Sequence, residues 1–146
     1  MAHSSDLVWL LVRNNTSFLV KRDGAVFTTE PNNLRNENSL RFSGLAQRRT
    51  LGLTAAAGGG VKLTVKSTKA KYAHRPAQGY HDVHLSKNFR RGAKTIAKEV
   101  DQYRPDLKKA ALARWTKIHS SLKGVTKKPR TRRARKTAAP AAAPQN

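Results

Sequence analysis

The chain has 146 residues, of which 30 are Lys or Arg and only 8 are Asp or Glu, so its formal net charge is +22. This exceeds the net charge of about 2–8 that solubility requires of a small domain, and a field of one sign attracts polyanions, so a polyanionic partner is expected. The chain contains no cysteine, which excludes disulfides, thiol catalysis and zinc fingers, and its length suits one modest domain with trailing segments.

The first predicted element is a short apolar run near the N-terminus. Ser5 or Asp6 could cap a helix that extends to Val12, because a side-chain oxygen there would satisfy free amides of the first turn. A run of Leu, Val and Trp this short also fits a strand, and Trp9 within it is expected in the core. The run is too short for a signal or membrane helix, and no other stretch approaches a span, so we expect a soluble protein of the cytosol or nucleus.

Two short strands are predicted next, and they form a hairpin. Phe18 to Lys21 has the composition of a strand, Asp23-Gly24 is a tight-turn dipeptide, and Ala25 to Thr29 is the partner strand. Glu30-Pro31-Asn32-Asn33 then ends the second strand, because proline lacks the ladder donor and asparagine tolerates turn angles.

Two further strands are predicted before residue 67. Leu40 to Leu53 alternates loosely between apolar and polar residues, and Gly58-Gly59-Gly60 is a flexible turn. Val61 to Lys66 alternates strictly, which places its apolar residues on one face and its lysines on the other. Residues 67–85 are predicted to be a polar connection.

Two helices are predicted after this connection, with Ser86 as the N-cap of the first, Pro105 between them and Gly124 as the stop of the second. The apolar positions of the first helix recur at helical spacing: Phe89, Ala93, Ile96, Val100 and Tyr103. The second helix has an equivalent stripe, in which Trp115 is expected in the core: Leu107, Ala111, Trp115, Ile118 and Leu122.

The predicted fold class is therefore α+β, with a small antiparallel sheet in the N-terminal half, two helices in the middle and a disordered basic tail. Residues 1–66 are the mixed part with the hairpin, 67–85 the polar connection, 86–124 the two helices packing on the sheet, and 125–146 a basic and then Ala/Pro-rich extension. Because apolar periodicity stops at Gly124, the tail is expected to order only against RNA or DNA.

Catalytic and metal-binding patterns are not found. Glu99 and Asp101, the one close acidic pair, point apart on a helix. Gly58-Gly59-Gly60 lacks the lysine and the Ser or Thr of a nucleotide loop, and His81-x-x-His84 lacks a third metal ligand. We therefore expect no enzymatic activity, no metal and no cofactor.

The histidines and two tyrosines are the side chains, besides the cations, that could contact RNA. His81 and His84 are expected on the surface or facing RNA, and His119 is expected to be solvated or to contact phosphate. Tyr72 and Tyr80 lie among His and Arg residues, where base stacking is an option beside an ordinary structural role.

The cations carry the strongest functional signal, because each neutralised phosphate releases counterions and so favours nucleic-acid binding. On the first of the two helices, Arg90, Lys94 and Lys98 fall on one basic arc beside Arg91. The basic tail also fits a nuclear-import signal. The candidate RNA-binding residues are Arg13, Lys21, Arg22, Arg35, Arg41, Arg48, Arg49, Arg90, Arg91, Lys94, Lys98, Arg104, Lys108, Lys109, Arg114, Lys127, Lys128, Arg130, Arg132, Arg133, Arg135 and Lys136.

Four blocks of sequence point to a family. They are Trp9-Leu10-Leu11-Val12-Arg13-Asn14-Asn15, Ser17-Phe18-Leu19-Val20-Lys21-Arg22, Thr29-Glu30-Pro31-Asn32-Asn33-Leu34 and Tyr103-Arg104-Pro105-Asp106-Leu107. In order and spacing they closely resemble the eukaryote-specific large-subunit ribosomal protein family numbered twenty-eight, which is unrelated to the bacterial protein of that number. The resemblance covers roughly residues 5–125, and the glycine-rich turn after Leu53 and the Ala/Pro extension depart from it.

This resemblance implies an α+β domain on the solvent side of the 60S subunit that contacts large-subunit ribosomal RNA. The expected function is a structural constituent of the cytosolic large subunit, with this RNA and neighbouring 60S proteins as partners and with nucleolar passage during assembly. No membrane or small-molecule substrate is expected. The alternatives are a ribosome assembly factor, since a related domain occurs in a nucleolar assembly factor, and a chromatin-type DNA-binding protein, since the tail resembles a linker-histone terminus.

Overall fold

The computed structural model describes residues 4–57, 59–72, 78–85 and 88–123. Short 3₁₀ turns occupy Ala70–Tyr72 and Pro105–Leu107. The predicted α+β class is confirmed, whereas the predictions for the basic tail lie outside the described residues. Over the described ranges the elements are, in chain order, α1 (Ser5–Val12), β1 (Leu19–Arg22), β2 (Ala25–Thr28), β3 (Leu51–Ala55), β4 (Val61–Lys66), β5 (Tyr80–Leu85), α2 (Phe89–Tyr103) and α3 (Lys108–Leu122).

Strands β1 and β2 form the predicted hairpin, with Arg22 opposite Ala25 at the turn. Asp23 and Gly24 both have positive φ, 47° and 78°, which is the combination that lets a two-residue turn follow the twist of its strands. The hairpin prediction is confirmed to within one residue at each strand end.

Strands β3, β4 and β5 form an antiparallel sheet in that order. Strand β4 coincides with the predicted strand from Val61 to Lys66. The strand predicted from Leu40 to Leu53 is wrong over most of its length, because only Leu51–Ala55 pairs with β4. Before it, the Ser43 hydroxyl accepts two backbone N–H groups further along the chain and holds this segment in turns.

The sequence pattern does not predict β5, which pairs with β4 over all six of its residues. The polar connection predicted for residues 67–85 is therefore wrong over its last part. Its inner-face positions are His81, Val83 and Leu85, and because His81 is polar and exposed, only Val83 and Leu85 mark this face as apolar. Two apolar positions are too few for alternation to stand out.

Helices α2 and α3 pack against each other, and α3 lies on the inner face of β3 and β4. Trp115 is 0% exposed, which confirms its predicted place in the core. A Cβ on Gly92 of α2 would collide with its indole ring, so a glycine is required where the two helices meet. The buried core consists of Leu34, Leu51, Leu53, Val61, Leu63, Leu85, Ile96, Val100, Leu107, Ala111 and Trp115.

The aromatic predictions for Trp9 and His119 are wrong. Helix α1 buries none of its residues, and Trp9 is only half-buried because the rest of the described chain does not enclose it. His119 is 9% exposed, four residues after Trp115 on the inner side of α3. Its ring lies 5.4 Å from the Trp115 ring and 5.1 Å from that of Phe89, so it is a core residue and not a solvated one.

The helix ends differ from prediction by one or two residues. The N-cap of α1 is Ser4 instead of Ser5 or Asp6, and the strand alternative for this segment is wrong. The N-cap of α2 is Asn88, whose Oδ1 accepts the backbone N–H of Arg91 at 3.1 Å. Ser86, the predicted cap, lies outside the described residues.

Candidate nucleic-acid interface

Four cations lie on the solvent side of α2. Arg90, Lys94 and Lys98 are exposed and follow one another at intervals of about 40° around the helix and about 6 Å along it. Arg91 is exposed beside them, and the buried Ile96 lies on the opposite side. None of the four forms an ion pair with a carboxylate in the described ranges. We call Arg90, Arg91, Lys94 and Lys98 the α2 arc.

Other predicted cations share these properties on the N-terminal part of the chain and at the start of α3. They are exposed, and no carboxylate among the residues seen in the structure pairs with them. This second group comprises Arg13, Lys21, Arg22, Arg48 and Lys109.

Arg104 is used inside the fold. Its side chain is 14% exposed, and its Nε and Nη2 donate to the two carboxylate oxygens of Asp106 at 3.1 and 2.7 Å. Nη1 donates to the carbonyl of Arg49 and Nη2 to that of Arg41, both at 3.1 Å. The hydrogen bonds from Arg104 lower the pKa of Asp106, against burial, which raises it. Because four of its five N–H donors have partners inside the fold, Arg104 is not part of the candidate interface.

Two arginines of the predicted set lie against Phe42. The guanidinium carbons of Arg35 and Arg41 are 5.4 and 5.5 Å from its ring centroid, within the range of cation–π attraction. Arg35 also pairs with Glu37 at 3.3 Å, and Arg41 donates from Nη2 to the carbonyl of Asp106 at 2.7 Å. Their side chains remain 61% and 57% exposed, so both stay accessible to a phosphate.

Three more predicted cations have intramolecular partners. Lys108 Nζ lies 2.6 Å from the Asp101 carboxylate, and Arg114 Nη1 donates to Asn36 Oδ1 at 3.3 Å. Arg49 lies over an aromatic ring of α2, 5.9 Å from its centroid. The predicted cations from Lys127 to Lys136 lie outside the described residues.

The loop that carries Arg35 is organised by Glu30 and Asn33. Glu30 Oε1 accepts from the Asn33 amide at 2.9 Å and from the backbone N–H of Gly44 at 3.1 Å. Asn33 Oδ1 in turn accepts the backbone N–H groups of Arg35 and Asn36 at 3.0 and 2.8 Å. These bonds satisfy backbone donors that no strand or helix would satisfy, and they hold the backbone at Arg35 in position.

The candidate residues chosen from the sequence omit the polar residues of the sheet. Asp82 Oδ1 accepts from Thr64 Oγ1 at 2.8 Å, and its Oδ2 accepts from Lys62 Nζ at 3.2 Å. These two hydrogen bonds lower the pKa of Asp82, and the bond from Thr64 has the larger effect. The strict alternation of β4 could have indicated this polar surface from the sequence, since it places Lys62 and Lys66 on the open face of the sheet. His84, on the neighbouring strand, is exposed as predicted.

The remaining chemistry of the described residues is sparse. They contain no group of three or more His, Asp or Glu side chains that could hold a metal ion. None of their helices is both long enough and apolar enough to cross a membrane.

The fold and charge distribution define a small, strongly basic α+β domain with a helix-borne arc of cations that pair with no carboxylate of the described chain. Residues 7–121 match the model of the Ribosomal L28e protein family, and the chain belongs to this family. The family is one of ribosomal proteins of the eukaryotic large subunit and not of enzymes.

Curated relatives cover most of the chain. The large ribosomal subunit protein eL28 of Dictyostelium discoideum is 40% identical over 134 residues, which are 91% of this chain and 98% of that protein. The protein of the same name from Schizosaccharomyces pombe is 39% identical over 127 residues, 83% of this chain and 94% of its own. That of Trypanosoma cruzi is 32% identical over 127 residues, 87% of this chain and 84% of its own.

Proposed function

We propose that the chain is a structural constituent of the cytosolic large ribosomal subunit and that it binds and stabilises large-subunit ribosomal RNA by neutralising phosphates. Family membership and the names of the relatives support the place in the large subunit. The observation that supports the mechanism is the α2 arc, in which four exposed cations have no described carboxylate partner. Cations grouped in this way would otherwise only repel one another.

The arc is suited to an RNA backbone because the side of α2 behind it is rigid. Ile96 and Val100 are buried in the core cluster, and α2 packs against α3, so the helix axis is fixed and only the side chains need to adjust. Lysine supplies a point charge, and arginine can donate to two phosphate oxygens at once. Each phosphate contact releases condensed counterions, which makes binding favourable and dependent on salt.

Specificity on this mechanism comes from the shape of the RNA. Phosphate contacts fix position and orientation but carry no base information. The cations of α2, of the hairpin β1–β2 and of the loop with Arg35 and Arg41 lie on separate elements of the described chain, so several RNA segments of matching geometry would be needed to engage them together. Folded ribosomal RNA offers such an arrangement, whereas an isolated duplex offers one regular surface.

The proposal includes the location and partners of the protein. As a large-subunit protein it would reside on cytoplasmic ribosomes, pass through the nucleolus during assembly and contact neighbouring 60S proteins. The basic tail from Lys127 to Lys136 would add phosphate contacts. A ribosome assembly factor or a chromatin-type DNA-binding protein would share the charge but not this location.

Sedimentation tests the proposal. A tagged copy of the full chain should sediment with 60S subunits, 80S ribosomes and polysomes, and chelation of magnesium should shift the 80S and polysome signal to 60S. Presence only in nuclear precursor particles would favour an assembly factor instead. Extraction by salt from chromatin, with no signal in polysomes, would favour the DNA-binding alternative.

A further inference from the structure

The sheet β3–β4–β5 has one covered face and one open face. The inner face carries Leu63, Val83 and Leu85 and is packed against the helices. On the open face the register places three pairs of side chains directly opposite one another: Lys66 with Tyr80, Thr64 with Asp82, and Lys62 with His84. Directly opposed residues of an antiparallel pair share a face, so these six side chains form one surface. We call it the sheet platform.

The platform is accessible. Tyr80, Asp82 and His84 are exposed, and the three β4 residues opposite them are half-buried by their neighbours. Helix α3 packs on β3 and β4 from the inner face. On the open face, the loop residue Asn32 lies over Gly52 of β3, which is opposite Thr64, so this loop borders the platform on its β3 side. The platform's exposed row on β5 holds an aromatic ring, a carboxylate and an imidazole, and two lysines border this row on β4.

The spacing of the two rings suits nucleotides. Tyr80 and His84 are four residues apart on one strand, which corresponds to about 13 Å, with Asp82 midway between them. Bases of single-stranded RNA are commonly held by stacking on such rings on a sheet surface. Lys66 stands opposite Tyr80 and forms no ion pair within the described ranges, so it is available to a phosphate.

Asp82 is held so that it can read a base edge. Thr64 donates to its Oδ1 and Lys62 to its Oδ2, which fixes the plane of the carboxylate. Each carboxylate oxygen retains a further lone pair, so the group presents two adjacent acceptors. Guanine is the RNA base whose Watson–Crick edge presents two adjacent N–H donors, at N1 and N2, whereas adenine and cytosine each present one amino group.

We propose that the sheet platform binds unpaired RNA nucleotides, with bases stacked on Tyr80 and His84, a backbone phosphate on Lys66 and a guanine edge on Asp82. The inference rests on the proposed function for the class of ligand, RNA. It adds a second, base-reading surface on the side of the sheet opposite the helices that carry the α2 arc.

The test uses the full chain and two fluorescently labelled hexanucleotides, which contain five uridines and, at the third position, either one guanosine or one adenosine. Binding is followed by anisotropy at several salt concentrations. Tyr80→Thr combined with His84→Thr removes both rings but keeps residues that favour strands. Tyr80→Phe keeps the ring, and Asp82→Asn replaces one of the two acceptors with a donor. Thermal unfolding of each variant establishes that the sheet is intact.

The double Thr variant should bind the guanosine hexanucleotide at least about fivefold more weakly, the lower end of the effect of removing one base stack, with an unchanged salt slope. Tyr80→Phe should bind like the wild type. Asp82→Asn should bind the two hexanucleotides equally, whereas the wild type should prefer guanosine.

Unchanged affinity of the folded double variant, or equal affinity of the wild type for both hexanucleotides, would overturn the inference. A structured large-subunit RNA fragment measured in parallel separates this failure from that of the proposed function. If the fragment binds and the hexanucleotides do not, only the sheet platform is refuted. If neither binds, both proposals fail.

Discussion

Arg104 and Asp106, two residues apart at the junction of α2 and α3, form a two-contact ion pair with N–O distances of 3.1 and 2.7 Å. The same guanidinium also donates to the carbonyls of Arg41 and Arg49. One side chain therefore joins the helical pair to the loop that precedes β3. The arrangement depends on the planar fork of arginine, which can serve several acceptors at fixed angles.

Replacing Arg104 should destabilise the fold. Arg104→Lys keeps the charge but cannot reach the same acceptors, and we expect the free energy of unfolding to fall by about 1–3 kcal/mol. Urea unfolding measures this decrease. Arg91→Lys, on the exposed α2 arc, is the matched control and should leave the urea midpoint unchanged. Equal midpoints for Arg104→Lys and the wild type would show that these hydrogen bonds do not matter for stability.

Stability should fall in acid partly through Asp106. Its pKa is lowered below the ordinary value of 3.8 in the folded state, chiefly by hydrogen bonds from Arg104. As the pH decreases, the unfolded state takes up this proton first, so the stabilisation is present above pH 3.8 and disappears as the pH falls through the folded pKa. Urea midpoints measured from neutral pH down to the acid range should decline less steeply in Asp106→Asn. If the urea midpoint of Asp106→Asn declines as steeply as that of the wild type, the loss of stability in acid is caused by other groups.

The contact of Gly92 with Trp115 should reverse the usual effect of a glycine substitution in a helix. Gly→Ala normally stabilises a helix interior by about 1 kcal/mol, but here the new Cβ would collide with the indole ring. We expect Gly92→Ala to lower the melting temperature, whereas Gln102→Ala, on the exposed side of α2, should not. Adding Trp115→Phe to Gly92→Ala should recover part of the decrease in melting temperature, because the smaller ring leaves room for the Cβ. If the decreases caused by the two substitutions simply add, the contact between these residues is contradicted.

Truncating Trp115 should be among the most damaging changes. Its side chain is fully buried, and Trp115→Ala should cost about 3–5 kcal/mol in the free energy of unfolding. Chemical denaturation of the free protein, without RNA, measures this cost. An unchanged midpoint together with weaker RNA binding would mean that the ring stacks on RNA and not in the core.

Neutralising the α2 arc should weaken RNA binding without unfolding the protein. Arg90→Gln, Lys94→Gln and Lys98→Gln together should reduce the slope of log affinity against log salt by up to about 0.7–0.9 for each phosphate that is no longer neutralised. The effect should be similar for RNAs of different sequence. Lys108→Gln is the matched control, because this lysine already pairs with Asp101 at 2.6 Å. An unchanged slope in the triple variant would mean that the arc is only a solvated face.

The sequence is sufficient to predict those elements whose local pattern matches the packing that the residues have in the fold. The hairpin follows from Asp23-Gly24, whose positive φ angles the turn needs, and α2 and α3 follow from apolar stripes that do enter the core. Strand β5 could not be found in this way, because His81 occupies one of its three inner-face positions and Tyr80 stands on the open face, so only Val83 and Leu85 follow the expected alternation. The burial of His119 could not be found either, since it depends on two aromatic rings that are brought to it only by the packing of α2 on α3.

The sequence predicts which cations are candidates for the interface, but not which of them are bound to other groups within the fold. The net charge predicts a polyanionic partner, and helical spacing groups Arg90, Lys94 and Lys98. Neither signal separates those cations from Arg104, because the difference lies in long-range acceptors at residues 41 and 49. The charge of an arginine is visible in the sequence, whereas its hydrogen-bond partners are a property of the tertiary structure.

The ion pair at the helix junction also bears on how the sequence can drift. On the proposed mechanism Lys94 and Lys98 each need to supply only a positive charge, so exchanges between lysine and arginine at these positions should be nearly neutral. At Arg104 the same exchange would break hydrogen bonds on both sides of the junction. Selection should therefore act differently on two kinds of cationic position that a count of cations does not distinguish. Lysine and arginine should be interchangeable at Lys94 and Lys98, whereas position 104 should remain arginine.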